Sequence, residues 1–433
     1  MVCLTLGENV FGYTLLLLLL AFSWYRLLIG DFKPSILLMV LGSYHSAFDN
    51  VYTSSILGIK MIYLNLLLLI FFGAIRIRIP RKYRTLVFVF VIFYILHFSF
   101  GFLFKYSIEW FLNESFSFFV FFSIILIVLG SRDYFVPLIF EVLSKYVLYF
   151  YPFLVLVAVL TAKEEVLLFD EFEKFYFLAL VPLLLRKIPH RSFLIVLNIV
   201  VVIVKAKYTY FSSLNIILMT TIVALIFLMS NLSLLRKTIF VVALLSSAGV
   251  FYNFSNDVTK FKIRQSQIAI QEVLSGNVNA IPKSPRVRVI EFMLSFKNLE
   301  DQGWPFMFTG KGYGSFIDDN KHQYFKEYKV QLLENDFSLE EIEKLKFKKA
   351  HGGVPYIPIK MGIMGMLLFA YFGYSAFMLS FKKGLLWFGL SAPFYIITTF
   401  SYGLKNFIFV AFATGVALSF KGLNTHETEN LLN

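Results

Sequence analysis

Hydrophobic runs of helix-spanning length recur along the whole chain, and one long polar segment interrupts them at residues 256–355. The runs are continuous rather than alternating, so they predict α-helices and not the strands of a β-barrel. A straight transmembrane helix needs about 20 apolar residues. We therefore expect about 12 to 14 transmembrane helices. They are predicted from the runs at 10–30, 34–48, 55–75, 85–104, 115–130, 134–160, 174–185, 192–205, 211–230, 238–255, 356–380, 385–400 and 405–421.

Composition supports an all-α polytopic membrane protein. The 433 residues are 58% hydrophobic and 15% charged, whereas soluble domains carry about 25% charged residues. The pattern predicts an N-terminal bundle of about ten spans at 1–255 and a large, partly helical loop at 256–355. A second group of about three spans with a short polar tail is expected at 356–433. This unequal division does not favour a symmetric carrier.

The basic residues predict which side of the membrane the loop faces. Short connections rich in Lys and Arg remain in the cytoplasm, and such clusters lie at 76–84, 186–191, 236–237 and 382–383. A single apolar run leads from Arg236 and Lys237 to the polar segment, and another leads from it to Lys382. The segment is therefore expected to be external. This distribution accounts for much of the net charge of +13, and no basic soluble module suggests nucleic-acid binding.

Within the polar segment, residues 286–296 have apolar positions at helical spacing and predict an amphipathic helix with Arg288 in its first turn. Residues 309–316 form a glycine-rich turn that lacks the P-loop pattern, so a tight turn or lid is expected rather than a nucleotide site. A second helix is expected at 338–349, because Ser338 and Glu341 form a capping-box pattern.

His351 stands where the polar segment returns to apolar sequence. A single histidine in a loop is more often a surface residue, but Gly352 and Gly353 permit close approach by a ligand. Lys360 adds positive charge nearby. The adjacent pair Asp318 and Asp319 is expected in a solvated loop rather than at a metal, and no cluster of metal ligands is evident.

Each ionisable residue inside the apolar runs could have a structural or a functional role. His97 is expected to be packed and hydrogen-bonded rather than catalytic. Glu141 and Lys145 are four residues apart, so an ion pair along one helix is favoured over a proton relay. Lys207 falls on the expected external side, where it could extend to the interface as lysines at helix ends do, or supply charge to a site.

The order of these motifs resembles the superfamily of bacterial O-antigen ligases and O-antigen (or capsular) polysaccharide polymerases. The resemblance rests on Arg288-x-x-x-Phe292, then Gly310-x-Gly312-x-Gly314-x-Phe316, then His351 before an apolar helix containing Gly362-Ile363-Met364-Gly365. The plan of many spans with one large external loop also fits. Gly352 stands where Asn is common in that family, and Phe292 stands near a frequent Trp.

The resemblance implies a glycosyltransferase on the outer face of the bacterial inner membrane. Its donor would be a glycan on undecaprenyl diphosphate, and its acceptor the next lipid-linked repeat unit. His351 is implied as general base and Arg288 as a catalytic cation. Substrate contacts are implied for Lys207, Arg286, Lys360, Gly312, Tyr313 and Gly314. The diphosphate is already a good leaving group, so neither a cofactor nor a metal is invoked.

The polymerase is favoured over its alternatives. A ligase that transfers the glycan to the lipid A core would differ only in its acceptor. A flippase for lipid-linked oligosaccharides is the alternative of a different class, but it would not require a structured external loop. The expected partners are the lipid-linked donor and acceptor and the bilayer, together with a chain-length regulator and a flippase. No nucleic acid is expected.

Overall fold

A computed structural model describes residues 10–42, 55–56, 59–76, 79–142, 255–334, 336–348, 350–379 and 404–420, with isolated residues between these ranges. The described chain is mostly helical. The apolar runs predicted between 174 and 255 and at 385–400, and the side chains of Glu141, Lys145 and Lys207, lie outside the described residues.

Helices dominate residues 10–142, as the apolar runs predict. They are α1 (Val10–Ile29), α2 (Lys33–Gly42), α3 (Met61–Arg76), α4 (Arg84–Leu103), α5 (Ile108–Gly130) and α6 (Arg132–Val142). A two-residue antiparallel pair, β1 (Ser55–Ile56) and β2 (Ile59–Lys60), precedes α3. Helix α5 begins seven residues before the predicted run at 115–130. That extension includes Glu114, which the apolar pattern alone excluded from the span.

The polar segment folds into helices and one small strand pair. These are α7 (Asp257–Ser275), α8 (Lys283–Gln302), α9 (Trp304–Thr309), β3 (Ile317–Asp318), α10 (Tyr324–Glu327), α11 (Leu339–Lys344) and β4 (Lys346–Phe347). It is followed by α12 (Gly353–Leu379) and, after an undescribed stretch, by α13 (Leu404–Ser419). Among the described residues, three helical stretches are long and apolar enough to cross a membrane: Arg81–Leu103, Ile108–Gly130 and Gly353–Met378.

Two local predictions in this segment are confirmed, but the start of one helix and the end of the other are wrong. The amphipathic helix exists as α8, although it begins earlier, so Arg288 lies in its second turn. The capping box of Ser338 and Glu341 begins α11. That helix ends at Lys344 rather than Lys349, because Leu345 is left-handed and β4 then pairs antiparallel with β3. Helix α7, capped by the Asn256 side chain, was not predicted.

Helix α5 is the centre of the described bundle. It packs along α13 and also contacts α3, α4 and α6. Close approach to α13 requires a small residue, since a Cβ atom on Gly415 would lie 2.9 Å from Val128. The buried face of α5 is mainly aromatic and aliphatic, with Phe118 and Phe121 fully inside. Burial of such side chains is the main source of packing energy.

The glycine-rich turn fits against a break in α12. Gly362 has a φ of 61° and interrupts the helix. Just before it, the carbonyls of Ile359 and Lys360 accept hydrogen bonds from the backbone N–H groups of Lys311 and Gly312, each at 2.9 Å. The backbones approach so closely that a Cβ atom on Gly310 would lie 2.3 Å from the Met361 nitrogen. The predicted tight turn is therefore confirmed, and it forms a layer between the helices.

This close approach predicts that Gly310→Ala destabilises the protein more than Gly276→Ala. Gly276 is left-handed, where an alanine costs about 1–2 kcal/mol, and Gly310, at φ 69° and ψ −173°, lies in a region that is essentially restricted to glycine. Only Gly310 also meets backbone atoms, whereas a Cβ atom on Gly276 has nothing within 4 Å. Overpacking adds about 1–3 kcal/mol. Thermal unfolding of the purified variants measures the difference, and equal losses would contradict the packing described for Gly310.

Candidate functional site

One face of α8 has a row of polar side chains at helical spacing, Arg288, Glu291, Ser295 and Asn298. The Ser295 hydroxyl donates to the Pro355 carbonyl at 2.8 Å. The Asn298 side chain donates to the Asp318 carbonyl at 2.8 Å and accepts from the Asp318 N–H at 2.6 Å. This row therefore fixes α8 against both β3 and the first turn of α12.

Glu291 holds His351 by two hydrogen bonds. Its carboxylate is fully buried and accepts from the His351 backbone N–H and from Nδ1 of the ring, each at 2.7 Å. A carboxylate only accepts, so Nδ1 carries the proton and Nε2 is the basic nitrogen of the neutral ring. The edge of Phe337 packs on the imidazole with ring centroids 5.0 Å apart. The ring is thus fixed in orientation and tautomer.

The surroundings make His351 a stronger base than an ordinary histidine. Burial favours the neutral ring, but the hydrogen bond to Glu291 and the negative charge of Glu291 outweigh it and raise the pKa above 6.5. The positive charge of Arg288 acts in the opposite direction. Arg288 is therefore close enough to influence the histidine electrostatically. Glu291, which contacts His351, lies one turn from Arg288 on the same face of α8, where the polar segment joins α12.

Arg288 and Arg286 differ in how their nitrogens are used. The Nε of Arg288 is buried and has no hydrogen-bond partner among the described residues. Arg286 donates from Nε to the Ile281 carbonyl at 2.7 Å and from Nη1 to the Tyr328 carbonyl at 3.1 Å. The Arg286 guanidinium therefore ties α8 to its own loop, and its predicted substrate contact remains a prediction.

Lys360 lies in the interior rather than at a ligand-binding surface. Its ammonium is 2.8 Å from Oε1 of Glu114 and also donates to the Ser315 carbonyl. The same carboxylate accepts from the Tyr356 hydroxyl at 2.9 Å and from the Gly314 N–H at 2.6 Å. This interior ion pair joins α5, the glycine-rich turn and α12, and the diphosphate contact predicted for Lys360 remains a prediction.

Gly312, Tyr313 and Gly314, for which the sequence predicts substrate contacts, are all buried. A Cβ atom on Gly312 would lie 2.7 Å from the His97 carbonyl oxygen. The Tyr313 ring stacks on Phe118 at 4.7 Å and is fully enclosed. These residues build the seat of the turn between helices and present no surface to a substrate.

Two further sequence interpretations are resolved by burial. His97 is packed and hydrogen-bonded as expected, since Nε2 contacts the Thr309 carbonyl at 2.9 Å. Asp319 is not in a solvated loop. It is buried and accepts from the backbone N–H groups of Tyr324 and Phe325 at 2.7 and 3.1 Å, which begins α10. Within the described residues, no group of three potential ligands is arranged to hold a metal ion.

The sequence interpretation missed the two carboxylates that organise this region. Glu291 follows Arg288 by three residues, so both lie on the same face of a helix that was predicted correctly. That spacing was an available signal. Glu114 is an acidic residue next to an apolar run, and intramembrane charge commonly marks function or a specific partner. No family model matches this chain, and no characterised protein matches it in sequence.

The geometry predicts that Glu291→Gln lowers the pKa of His351. The glutamine keeps the size of the side chain but removes the negative charge that favours the imidazolium. Because the folded-state pKa is raised, the pair adds stability below about pH 6.5 and loses it as pH rises through the raised pKa. The variant should therefore lose more stability at about pH 6 than at about pH 8.5.

NMR titration of labelled histidine in both proteins measures the pKa, and thermal unfolding at the two pH values measures the stability. Glu300→Gln is the matched control, because Glu300 lies on the same helix but is exposed and pairs with Lys297. An unchanged His351 pKa in Glu291→Gln would contradict the pairing.

The interior pair predicts strong coupling between Glu114 and Lys360. Removing one partner leaves an uncompensated buried charge, so Glu114→Gln or Lys360→Met alone should cost about 3–5 kcal/mol. The double variant should cost less than the sum of the single variants. A double-mutant cycle on thermal unfolding measures this coupling. Additive losses would show that the two side chains act independently.

Proposed function

We propose that the chain is a membrane glycosyltransferase that polymerises oligosaccharide repeat units carried on undecaprenyl diphosphate. The observation that carries the proposal is the convergence of Glu291, His351 and Arg288, in which a histidine is held as a base beside a guanidinium with an unused buried N–H. Transfer of a sugar from a lipid diphosphate needs these two capacities. It must remove a proton from a hydroxyl and stabilise an anionic leaving group.

The reaction is a single displacement. Nε2 of His351 takes the proton of the acceptor sugar hydroxyl while the hydroxyl oxygen bonds to the anomeric carbon of the donor. The bond between that carbon and the diphosphate oxygen breaks, and the lipid diphosphate leaves with the electron pair. Glu291 stabilises the imidazolium that forms, and Arg288 offsets the charge on the leaving group. The anomeric centre is inverted.

An apolar cavity beside His351 suits the lipid part of the donor. It has a volume of about 350 Å³, begins at Gly353 and Val354, and follows α12 to Gly373 and Tyr374. An isoprenoid chain in this cavity would hold its diphosphate near the start of α12, where His351 lies. The cavity belongs to a helix long and apolar enough to span a membrane. In this proposal the polar segment faces outward from the inner membrane, where Lys207 would add a further basic side chain.

A polymerase and a ligase differ in the acceptor substrate, the molecule that carries the attacking hydroxyl. In a polymerase the attacking hydroxyl belongs to another lipid-linked repeat unit, and in a ligase it belongs to the lipid A core. The site described has the same requirements in both cases. The two activities differ in the products that accumulate in a cell when the site is disabled, so one experiment tests the site and separates the activities.

His351→Ala and Arg288→Ala are predicted to abolish long surface polysaccharide in the native cell. Loss of a general base typically lowers a rate by about 10²–10⁴-fold. Matched controls are His322→Ala, whose ring contacts Asp301, and Arg264→Ala, which removes an exposed arginine on α7. Polysaccharide separated by size is the readout, with protein levels in the membrane measured alongside.

Single repeat units on the lipid core in both site variants would support a polymerase. Bare core with accumulating lipid-linked polymer would instead identify a ligase. Chains of normal length in both site variants, at normal protein levels, would overturn the assignment of His351 and Arg288.

A further inference from the structure

Lys311 is a largely buried lysine that the proposed transfer reaction does not use. Its side chain is 9% exposed, and its backbone is fixed by the Ile359 carbonyl and by the Tyr106 hydroxyl, which donates to the Lys311 carbonyl at 3.3 Å. Within the part of the chain that the structure describes, its ammonium has no hydrogen-bond or salt-bridge partner. It lies 5.3 Å from the centroid of the Phe316 ring. A ring offsets only part of the cost of burying a charge.

A second ammonium reaches the same ring. Lys346 lies 5.0 Å from the centroid of Phe316. Its nearest carboxylate is that of Asp318, at 3.9 Å, which also accepts from the backbone N–H and the side chain of Asn320 at 2.9 and 2.8 Å. The pairing of β3 with β4 sets Lys346 opposite Asp318. Two lysines therefore share one aromatic ring and one carboxylate that is already engaged.

The local charge is unbalanced toward the positive. Burial lowers the pKa of Lys311 to about 8. The negative charges of Asp318 and Asp301 act against this, and the positive charges of Lys360 and Lys346 act with it. Lys360 is itself neutralised by Glu114. Asp301 is already bonded to Lys321 and His322, so Asp318 has to serve both Lys311 and Lys346. An additional anion would offset the remaining charge and provide an acceptor for the Lys311 ammonium.

We propose that Lys311, Lys346 and Phe316 form a binding site for a phosphate group. The lysine ammonium is a compact point charge, and it can therefore pair with one oxygen of a tetrahedral anion such as phosphate. The site is distinct from that of His351, because Asn298, which holds Asp318, lies about two turns, or roughly 10 Å, along α8 from Glu291. It goes beyond the proposed glycosyl transfer and does not depend on it.

The position of the site leaves two sources for the phosphate. Tyr106, which holds the Lys311 backbone, lies between the end of α4 and the start of α5, two helices long and apolar enough to cross a membrane. A phospholipid headgroup at the ends of these helices is one source, and free phosphate is the other. Both present the same group to the two lysines, so the experiment is designed to separate them.

Amine acylation measured by mass spectrometry tests the site in the full-length protein without any assay of activity. The rate of Lys311 labelling is followed across pH, in detergent with and without inorganic phosphate. It is then followed in nanodiscs of phosphatidylglycerol and of digalactosyldiacylglycerol, which has no phosphate. A bound anion favours the protonated amine. A rise of one pKa unit from about 8 would slow labelling at pH 8 about fivefold.

Lys346→Met should remove most of this protection, whereas Lys344→Met should retain it, because Lys344 is exposed and paired with Glu340. Continued protection of Lys360, which is 1% exposed and paired with Glu114, shows in all variants that the fold is intact. Protection by inorganic phosphate identifies a site open to free phosphate, and protection only in phosphatidylglycerol identifies the lipid headgroup. The same Lys311 labelling profile under all four conditions, or full protection in Lys346→Met, would overturn the proposal.

Discussion

The rest of the described structure depends on the ion pair and hydrogen bonds that the buried Glu114 carboxylate makes. A charge enclosed by apolar helices is stable only if it is paired and its remaining oxygens accept hydrogen bonds. Glu114 meets this condition through Lys360, Tyr356 and the Gly314 N–H, which come from two parts of the chain 200 or more positions away in sequence. One side chain of α5 thereby fixes both the glycine-rich turn and the first half of α12.

That contact also determines where His351 lies. Helix α12 is held at Lys360 by Glu114 and at Pro355 by Ser295, so the residues that precede it have little freedom to move. Glu291 then accepts hydrogen bonds from both the backbone N–H and the ring of His351. A base whose orientation is fixed before substrate arrives avoids reorganisation during the reaction. The Glu114–Lys360 ion pair therefore fixes α12 within the bundle, and the Glu291–His351 pair fixes the residues just before α12 at the edge of the bundle.

Local sequence signals predicted local structure well and distant partners poorly. The apolar runs, α8, the capping box of Ser338 and the glycine turn all depend on residues within a few positions of one another. Helix α11 ended early because its last predicted residues pair with β3, which is distant in sequence. The partners of Lys360 and Tyr313 were not predicted for the same reason, since they lie on α5. Glu291 was also missed, although in this case the signal was local: its spacing of three residues from Arg288 was visible in the sequence.

The basic residues of this region differ most in whether their charge already has a partner. Arg286 is bonded to two backbone carbonyls and Lys360 to a carboxylate, so each already has the acceptors that a buried cation needs. Arg288 keeps a buried Nε without a partner among the described residues, and the Lys311 ammonium shares only a ring. Burial of such groups costs free energy that a bound anion would recover. The unused donors, rather than the motif positions, therefore indicate where an anionic ligand would bind.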